Sequence, residues 1–213
     1  MSSSSEASGA RRPRGWRGAA PTVIAVLIGL AVVQAQATTL EGSASVDGRP
    51  ALNAVVYLER TAGTAAPPPP APARTVMDQK NLGFRPEVLP VMRGTVIEFT
   101  NSDDVQHNVF SPSAIAGKFN LGTYGPGATR TVTLDELGDV RVLCNIHMEM
   151  EAHILVLDGP YFSSVASDGR YYIPDVPTGT YTLKVWQEQW LPFAQSVALP
   201  ESGTLTVNIN TGK

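Results

Sequence analysis

The feature that most constrains the fold is a succession of short alternating segments, separated by turn residues, from Thr75 to Asp158. Within it, GTVIEFTNSD places Ile97 and Phe99 on one face of a strand and Glu98 on the other. No long segment has the 3.6-residue period of an amphipathic helix, and 19 Gly and 17 Pro in 213 residues favour a turn-rich chain. The sequence therefore predicts an all-β protein with a β-sandwich at its centre.

Two further β-like segments flank this region. Residues 38–63 contain two short strands around an Asp-Gly turn, and residues 159–213 contain strands separated by an Asp-Gly and a Pro-x-Gly turn. Residues 64–74 are rich in proline and predict an extended linker. Neither flanking segment is able to bury its apolar face alone, so we expect the two to form one small sandwich with residues 75–158 inserted into a loop. The alternative is a leading hairpin and a separate tail.

Residues 1–37 have the pattern of an export signal. The basic stretch RRPRGWRG precedes the apolar stretch APTVIAVLIGLAVV, and the small residues of AQA predict cleavage after Ala37. An uncleaved membrane anchor is the alternative, which we favour less because the apolar run is shorter than the ~20 residues of a spanning helix. The expected location is therefore the periplasm or the cell exterior, with membrane contact only through an uncleaved segment.

The charge balance argues against one class of partner. The chain has 16 basic and 19 acidic side chains, and residues 1–37 contain four Arg and one Glu, so cleavage leaves 12 basic against 18 acidic. The formal net charge changes from −3 to −6. A chain with this balance has no basic stripe for the phosphate backbone, so we expect no nucleic-acid partner.

The segment CNIHMEM, residues 144–150, contains the only cysteine of the chain, one of its three histidines and two of its five methionines. In an oxidising compartment a single thiol has no internal disulfide partner and is open to oxidation. Cys144 is therefore either buried as a small apolar residue or bound to a metal. The alternation in GDVRVLC places it at the end of a strand, on the inward face.

The same segment offers a soft set of metal ligands. Cys144 and His147 in C-x2-H spacing, together with Met150, supply a thiolate, an imidazole and a thioether, which favour copper. A further ligand has to come from elsewhere, and we choose His107, which lies in a loop just past a strand. In a sandwich that loop can lie at the same end as the loop of Cys144. His153 lies inside the next strand and is expected to be a packed or surface-facing residue. Zinc also accepts Cys and two His, but the nearby Met favours one copper ion.

The stretches GFRPEVLPVMRGTVIEFTNSDDVQHNVF and GDVRVLCNIHMEMEAHILVL resemble the cupredoxins, the plastocyanin- and amicyanin-like blue-copper proteins, over about residues 75–158. The resemblance implies a cupredoxin Greek-key β-sandwich that holds a single type 1 copper ion. Carried over by position, the ligands are His107, Cys144, His147 and, in the axial position, Met150.

One position departs from the pattern of the cupredoxins. The residue after the loop histidine is often Pro in relatives, whereas here it is Met148. Two thioethers are thus available, and Met150 is preferred because Met148, adjacent to His147, would have to fold back sharply. Asn108 follows the first histidine, and in the family that position helps to hold the cysteine loop, a role that fits hydrogen bonding near the sulfur.

The flanking segments resemble a second family. EGSASVDGRPALNAVVYLE is similar to the first half, and SDGRYYIPDVPTGTYTLKVW to the second half, of carboxypeptidase-regulatory-like (transthyretin-like) β-modules. The resemblance implies a smaller Ig-like β-sandwich. Neither stretch contains a catalytic constellation, so we expect a scaffold or a docking surface.

These observations favour an exported mononuclear blue-copper protein that carries one electron at a time. An edge of His147 is the expected electron exit, and a redox protein such as a c-type cytochrome is the expected partner. Glu149 and Glu151, with Asp103 and Asp104, either steer a basic partner or form an ordinary solvated rim.

Two other functions stay open at this stage. A periplasmic copper chaperone or storage protein would use similar ligands but exchange metal, and a structural β-module would carry the metal site incidentally. We do not expect an enzyme, because the sequence shows neither a second metal cluster nor a recognisable nucleophile–base pair.

Overall fold

The computed structural model describes residues 37–61, 73–113, 117–188 and 192–212, and these ranges consist of β-strands joined by turns. The first strands are β1 (Ala37–Val46), β2 (Arg49–Pro50) and β3 (Val55–Arg60). The central strands are β4 (Arg74–Gln79), β5 (Phe84–Arg85), β6 (Val88–Met92), β7 (Thr95–Asn101), β8 (His107–Ser111), β9 (Phe119–Tyr124), β10 (Thr129–Leu134), β11 (Gly138–Leu143) and β12 (Glu151–Leu157). The last strands are β13 (Phe162–Ser164), β14 (Arg170–Pro177), β15 (Gly179–Trp186), β16 (Phe193–Leu199), β17 (Gly203–Thr206) and β18 (Ile209–Thr211).

This architecture confirms the prediction of an all-β fold. The predicted signal lies outside the described residues except for Ala37, the first residue of β1. Residues 62–63 of the first flanking segment and residues 64–72 of the predicted linker also lie outside them. Arg74, the last residue assigned to the linker, is already part of β4. Within the described ranges, the structure holds no helix of the length and apolarity that crossing a membrane requires.

Strands β4–β12 form what we call the central sandwich. Its sheets have the strand orders β10-β7-β4-β5 and β6-β12-β11-β8-β9. The alternation predicted for β7 is confirmed, because Ile97 and Phe99 are fully buried between partly exposed neighbours. Both side chains belong to a core that also contains Phe84, Val109, Val140, Val142 and Ile154.

The remaining strands, β1–β3 and β13–β18, form what we call the flanking sandwich. In one sheet, β1 pairs with β14, β17 and β18, and in the other β3 lies between β13 and β15. Leu40 of β1 pairs with Ile173 of β14, and Val56 of β3 pairs with Val185 of β15. Strands from before and after the central sandwich are therefore paired with each other. All four of these side chains share one apolar core, so residues before and after the central sandwich bury a common face.

The turn between β1 and β2 follows from its sequence. Asp47 and Gly48 have φ values of 47° and 77°, and they form a two-residue connection between the paired residues Val46 and Arg49. Positive φ at both central positions defines the hairpin turn that Asp-Gly favours. The predicted Asp-Gly turn is therefore present.

Strand β12 is buried on both faces. Ala152, Ile154 and Val156 face the core of the central sandwich, whereas Leu155 and Leu157 pack in a separate cluster. That cluster also contains Val55 of β3, with Tyr57, Phe162 and Trp186 packed against it. The flanking sandwich thus covers the outer face of β12.

Candidate metal centre

The pairing of β8 with β11 brings two distant segments to one site. The two strands are antiparallel, with Phe110 opposite Leu143. In antiparallel strands the beginning of one lies beside the end of the other. His107 is the first residue of β8 and Cys144 directly follows β11, so the histidine lies beside the loop that begins at the cysteine.

Three predicted ligands lie together at this point. The Nδ1 atoms of His107 and His147 are 3.0 Å apart, and their ring centroids are separated by 4.8 Å. One ligand atom from each ring and the Cys144 sulfur all lie within 4.8 Å of one another. His107 and Cys144 are buried and His147 is half-buried, so the donors converge on a space that is closed on the protein side. Such a set of two imidazoles and one thiolate fits a single soft metal ion.

The Cys144 sulfur accepts two backbone hydrogen bonds. The N–H of Asn108 lies 3.5 Å from it and the N–H of Ile146 lies 3.4 Å from it. Donors at the sulfur hold its position in the site. The side chain of Asn108 donates instead to Asn120 Oδ1 at 3.1 Å, which ties β8 to β9. The residue after the first histidine therefore contacts the cysteine through its backbone.

Asp103 fixes the orientation of the His107 ring, a role that the sequence reasoning missed by treating this residue as a rim charge. Its carboxylate lies 2.8 Å from His107 Nε2 and accepts the N–H groups of Asn81 at 2.6 Å and Leu82 at 3.0 Å. Burial alone would raise the pKa of Asp103, but the donors from Leu82, His107 and Asn81 together lower it.

An ionised Asp103 accepts the proton on Nε2 of His107, which leaves the Nδ1 lone pair directed at the site. The signal in the sequence is an Asp four residues before the histidine, a spacing that gains meaning only once the turn between β7 and β8 is known.

The loop after β11 distinguishes the two methionines. The Met150 N–H donates to the His147 carbonyl at 3.1 Å, and the Cys144 N–H donates to the Met150 carbonyl at 3.3 Å. These bonds close the loop around the half-buried imidazole. Met150 is fully buried in the central core, whereas Met148 is 81% exposed. The thioether on the inner side of the loop is therefore that of Met150.

The other polar residues singled out in the sequence lie elsewhere. His153 is buried on β12, where its Nδ1 lies 2.9 Å from Asp139 Oδ1, apart from the ligand trio. Glu151 is held by the guanidinium of Arg141. Of the four acidic residues considered for steering, Asp104 and Glu149 are exposed to solvent.

Comparisons with known proteins agree with this arrangement. Residues 71–157 match a family model described as copper binding proteins, plastocyanin/azurin family. Among curated proteins, the sequence comparison finds no match.

Several solved structures are similar to part of the chain. A Cu-containing nitrite reductase (NirK) from Thermus scotoductus SA-01 is 23% identical with a TM-score of 0.38, and the match covers 48% of this chain but only 26% of that one. A reduced tryptophan-to-tyrosine mutant of amicyanin is 21% identical with a TM-score of 0.37, covering 41% of this chain and 85% of that one. A purple cupredoxin from Nitrosopumilus maritimus is 21% identical with a TM-score of 0.34, covering 40% of this chain and 99% of that one.

The family match and the ligand chemistry lead to the same assignment. The matched residues include the whole of β4–β12, and they contain the buried sulfur and both imidazoles. A thiolate with two imidazoles is the donor set of blue-copper centres. Residues 71–157 therefore match the plastocyanin/azurin family of copper-binding proteins over this part of the chain, and the cofactor is one copper ion.

Proposed function

We propose that the protein is an exported one-electron carrier with a type 1 copper ion held by His107, Cys144, His147 and Met150. The observation that carries this proposal is the approach of the two Nδ1 atoms to 3.0 Å beside a buried cysteine sulfur. When bound, copper supplies the Cu(I)/Cu(II) couple. The hydrogen bond between Asp103 and the His107 ring, and those from two backbone N–H groups to the Cys144 sulfur, hold these ligands, which would limit rearrangement between the two oxidation states.

Met150 is proposed as the weak axial ligand. Its side chain is fully buried with Cys144 in one core, and Met148 points to solvent. A long axial thioether tunes the reduction potential of such centres without binding the ion strongly. Met148 is instead a surface group beside the half-buried His147, together with exposed Ile146.

His147 is proposed as the electron exit, because it is the ligand histidine that is only half-buried, while His107 is fully buried. The proposed partner is a redox protein with a basic surface, such as a c-type cytochrome. Asp104 and Glu149 are its expected contacts, because both are exposed to solvent.

Reversing these two charges tests the steering. The double variant Asp104→Lys with Glu149→Lys is expected to reduce a basic cytochrome at least several-fold more slowly at low salt, with little difference at high salt. The matched control is Asp135→Lys with Glu136→Lys, an exposed pair that follows β10 at the opposite end of β7. An unchanged salt dependence in the first variant would refute steering by these residues.

The domain arrangement is part of the proposal. We infer that the central sandwich is inserted into the flanking sandwich, because β1 and β3 pair with strands that follow it in the chain. Export is proposed from the signal-like residues 1–37, and cleavage after Ala37 would leave nearly all of β1 in place. The purified protein should then begin at Thr38, which N-terminal sequencing of the exported chain will test.

The copper experiment uses residues 38–213 with Cu(II), followed by visible absorption and electron paramagnetic resonance. We expect an intense thiolate-to-copper band that is lost completely in Cys144→Ala, because Cys144 is the only cysteine of the sequence and so the only source of a thiolate. Met150→Leu should shift the band or the potential, and the control Met148→Leu should leave both unchanged. Tight copper binding without the band would contradict electron transfer and favour the chaperone or storage function.

A further inference from the structure

A second group of metal-ligating side chains lies where the two sandwiches meet. His153 and Glu151 belong to β12, and Glu188 follows β15 of the flanking sandwich. One ligand atom from each lies within 4.8 Å of the others. None of the three belongs to the proposed copper ligands.

The free nitrogen of His153 points into this group. Its Nε2 lies 3.5 Å from Glu188 Oε1 and 3.7 Å from Glu151 Oε1. The side chain is only 8% exposed, and Nε2 is buried without a hydrogen-bond partner. A buried polar atom without a hydrogen-bond partner destabilises the fold, so we expect this nitrogen to bind a ligand.

The opposite nitrogen is held in the manner of metal-binding histidines. Nδ1 of His153 lies 2.9 Å and 3.1 Å from the two oxygens of Asp139. A carboxylate that accepts the Nδ1 proton leaves the lone pair on Nε2, which is the arrangement that orients a ligating imidazole. The ring also packs against Trp186, with centroids 5.2 Å apart, so its orientation is fixed from a second side.

We propose that His153, Glu151 and Glu188 bind one divalent cation, with Zn²⁺ as the best fit, and that this ion fastens the flanking sandwich to the central one. One imidazole and two carboxylates are hard-to-borderline donors that suit zinc and lack the sulfur of the copper site. Donor atoms about 2.0–2.2 Å from a tetrahedral zinc ion are about 3.3–3.6 Å apart. The observed separations of 3.5 and 3.7 Å are close to that spacing.

A proton on Nε2 fits these contacts less well than a cation. Burial would lower the pKa of His153, but the hydrogen bond with Asp139 and the charges of Asp139, Glu188 and Glu151 raise it, which shows a strongly negative environment. An N–H···O bond requires about 2.7–3.2 Å, and both oxygens lie farther away. An ion between the three groups, by contrast, contacts all of them.

Arg141 is the competitor of the cation in this group. Its guanidinium binds both oxygens of Glu151 and carries a positive charge next to the proposed site. The arginine side chain is half-exposed, so it is able to turn away toward solvent. Replacing Arg141 with alanine should therefore strengthen zinc binding, an effect in the opposite direction from that of removing a ligand.

The test uses the copper-loaded chain, in which the tighter binding of copper keeps zinc out of the first site. Calorimetric titration with Zn²⁺ is expected to show one equivalent bound by the wild type. The affinity should fall at least tenfold in His153→Gln and Glu188→Gln, fall about 10–100-fold in Asp139→Asn, and rise in Arg141→Ala. Glu136→Gln, at an exposed position of the central sandwich, is the matched control and should bind as the wild type does.

Two further readings make the outcome decisive. Zinc should raise the unfolding temperature of the wild type but not of Glu188→Gln, whose exposed side chain allows the variant to fold. The copper band should stay unchanged throughout, which separates this site from the proposed electron carrier. Absence of zinc binding in the wild type would overturn the proposal, as would binding that both ligand variants retain at full strength.

Discussion

The central and flanking sandwiches have the same architecture but bury different chemistry. Among the described residues, Thr38 is the buried polar side chain of the flanking sandwich, and its hydroxyl donates to the Pro200 carbonyl at 2.6 Å. The buried polar side chains of the central sandwich are Gln79, Thr95, Asn101, His107, Asn108, Ser111 and His153. The core of the flanking sandwich is otherwise apolar, with the Tyr171 hydroxyl bonded to the Val207 carbonyl.

This difference indicates separate structural roles for the central and the flanking sandwich. A buried imidazole or amide destabilises a fold unless it has hydrogen-bond partners, so the central sandwich has to supply such partners around its proposed metal ligands. The flanking sandwich buries apolar surface without that constraint and covers the outer face of β12 through Val55 and Trp186. We therefore expect that changes in the flanking sandwich lower the stability of the protein more than they alter its copper chemistry.

The largest effect is expected for Gly42→Ala in the flanking sandwich. A Cβ at this position would lie 1.8 Å from the Val207 carbonyl oxygen, so β1 would have to move away from the segment before β18. We expect a loss of about 3 kcal/mol or more in the free energy of unfolding, measured by denaturant titration. The control is Gly125→Ala in the central sandwich, where a Cβ meets no atom within 4 Å. Equal effects in both variants would contradict the close approach.

A smaller effect is expected for Asp103→Asn, which tests the polar contacts of the central sandwich. The amide keeps the shape of the carboxylate but holds the Nε2 proton of His107 less strongly, so Nδ1 is less well oriented. We expect copper affinity to fall about 10–100-fold, measured by competition with a chelator. Asp104→Asn, at the exposed neighbouring position, should bind copper as the wild type does. Equal affinities in all three proteins would argue against the orienting role.

The smallest effect concerns Tyr171 in the flanking sandwich. Tyr171→Phe removes the hydrogen bond of 2.7 Å to Val207, which is expected to cost about 1 kcal/mol at pH 7. Burial raises the pKa of Tyr171 above its usual value of 10. The stability that the hydroxyl contributes is thus complete below pH 10. It declines as the pH rises further, because the unfolded chain ionises first.

Denaturant titrations at pH 8 and pH 11 should show this change directly. The advantage of the wild type over Tyr171→Phe is expected to shrink at the higher pH, and a constant difference would show that the hydroxyl titrates alike in both states. Every other tyrosine is common to the two proteins, so its contribution cancels in the comparison.

Several features followed from local patterns in the sequence. The alternation in β7 and β11 predicted which side chains are buried, because successive residues of a strand face opposite sides. The Asp-Gly turn was predictable because positive φ at two successive positions selects those residues. Copper followed from the softness of the sulfur and imidazole donors, which depends on side-chain type and not on position.

Other features were not readable from the chain. Strand β12 lacks alternation because both of its faces are covered, and the second covering layer comes from strands distant in sequence. His153 therefore looked like an ordinary strand residue, although the fold places it between Asp139 and Glu188. Asp103 looked like a surface acid, although the turn after β7 directs it to the ring of His107.

The sequence by itself determined the all-β class, the turns and the chemical nature of the proposed copper ligands, because each depends on residue type and on neighbours within a few positions. Only the tertiary structure decided which partners those ligands have, which methionine is buried, and that a second group of donors meets where the sandwiches join. The physical reason is that sheet pairing and burial join residues far apart in the chain, and no local pattern encodes which distant strand covers which face.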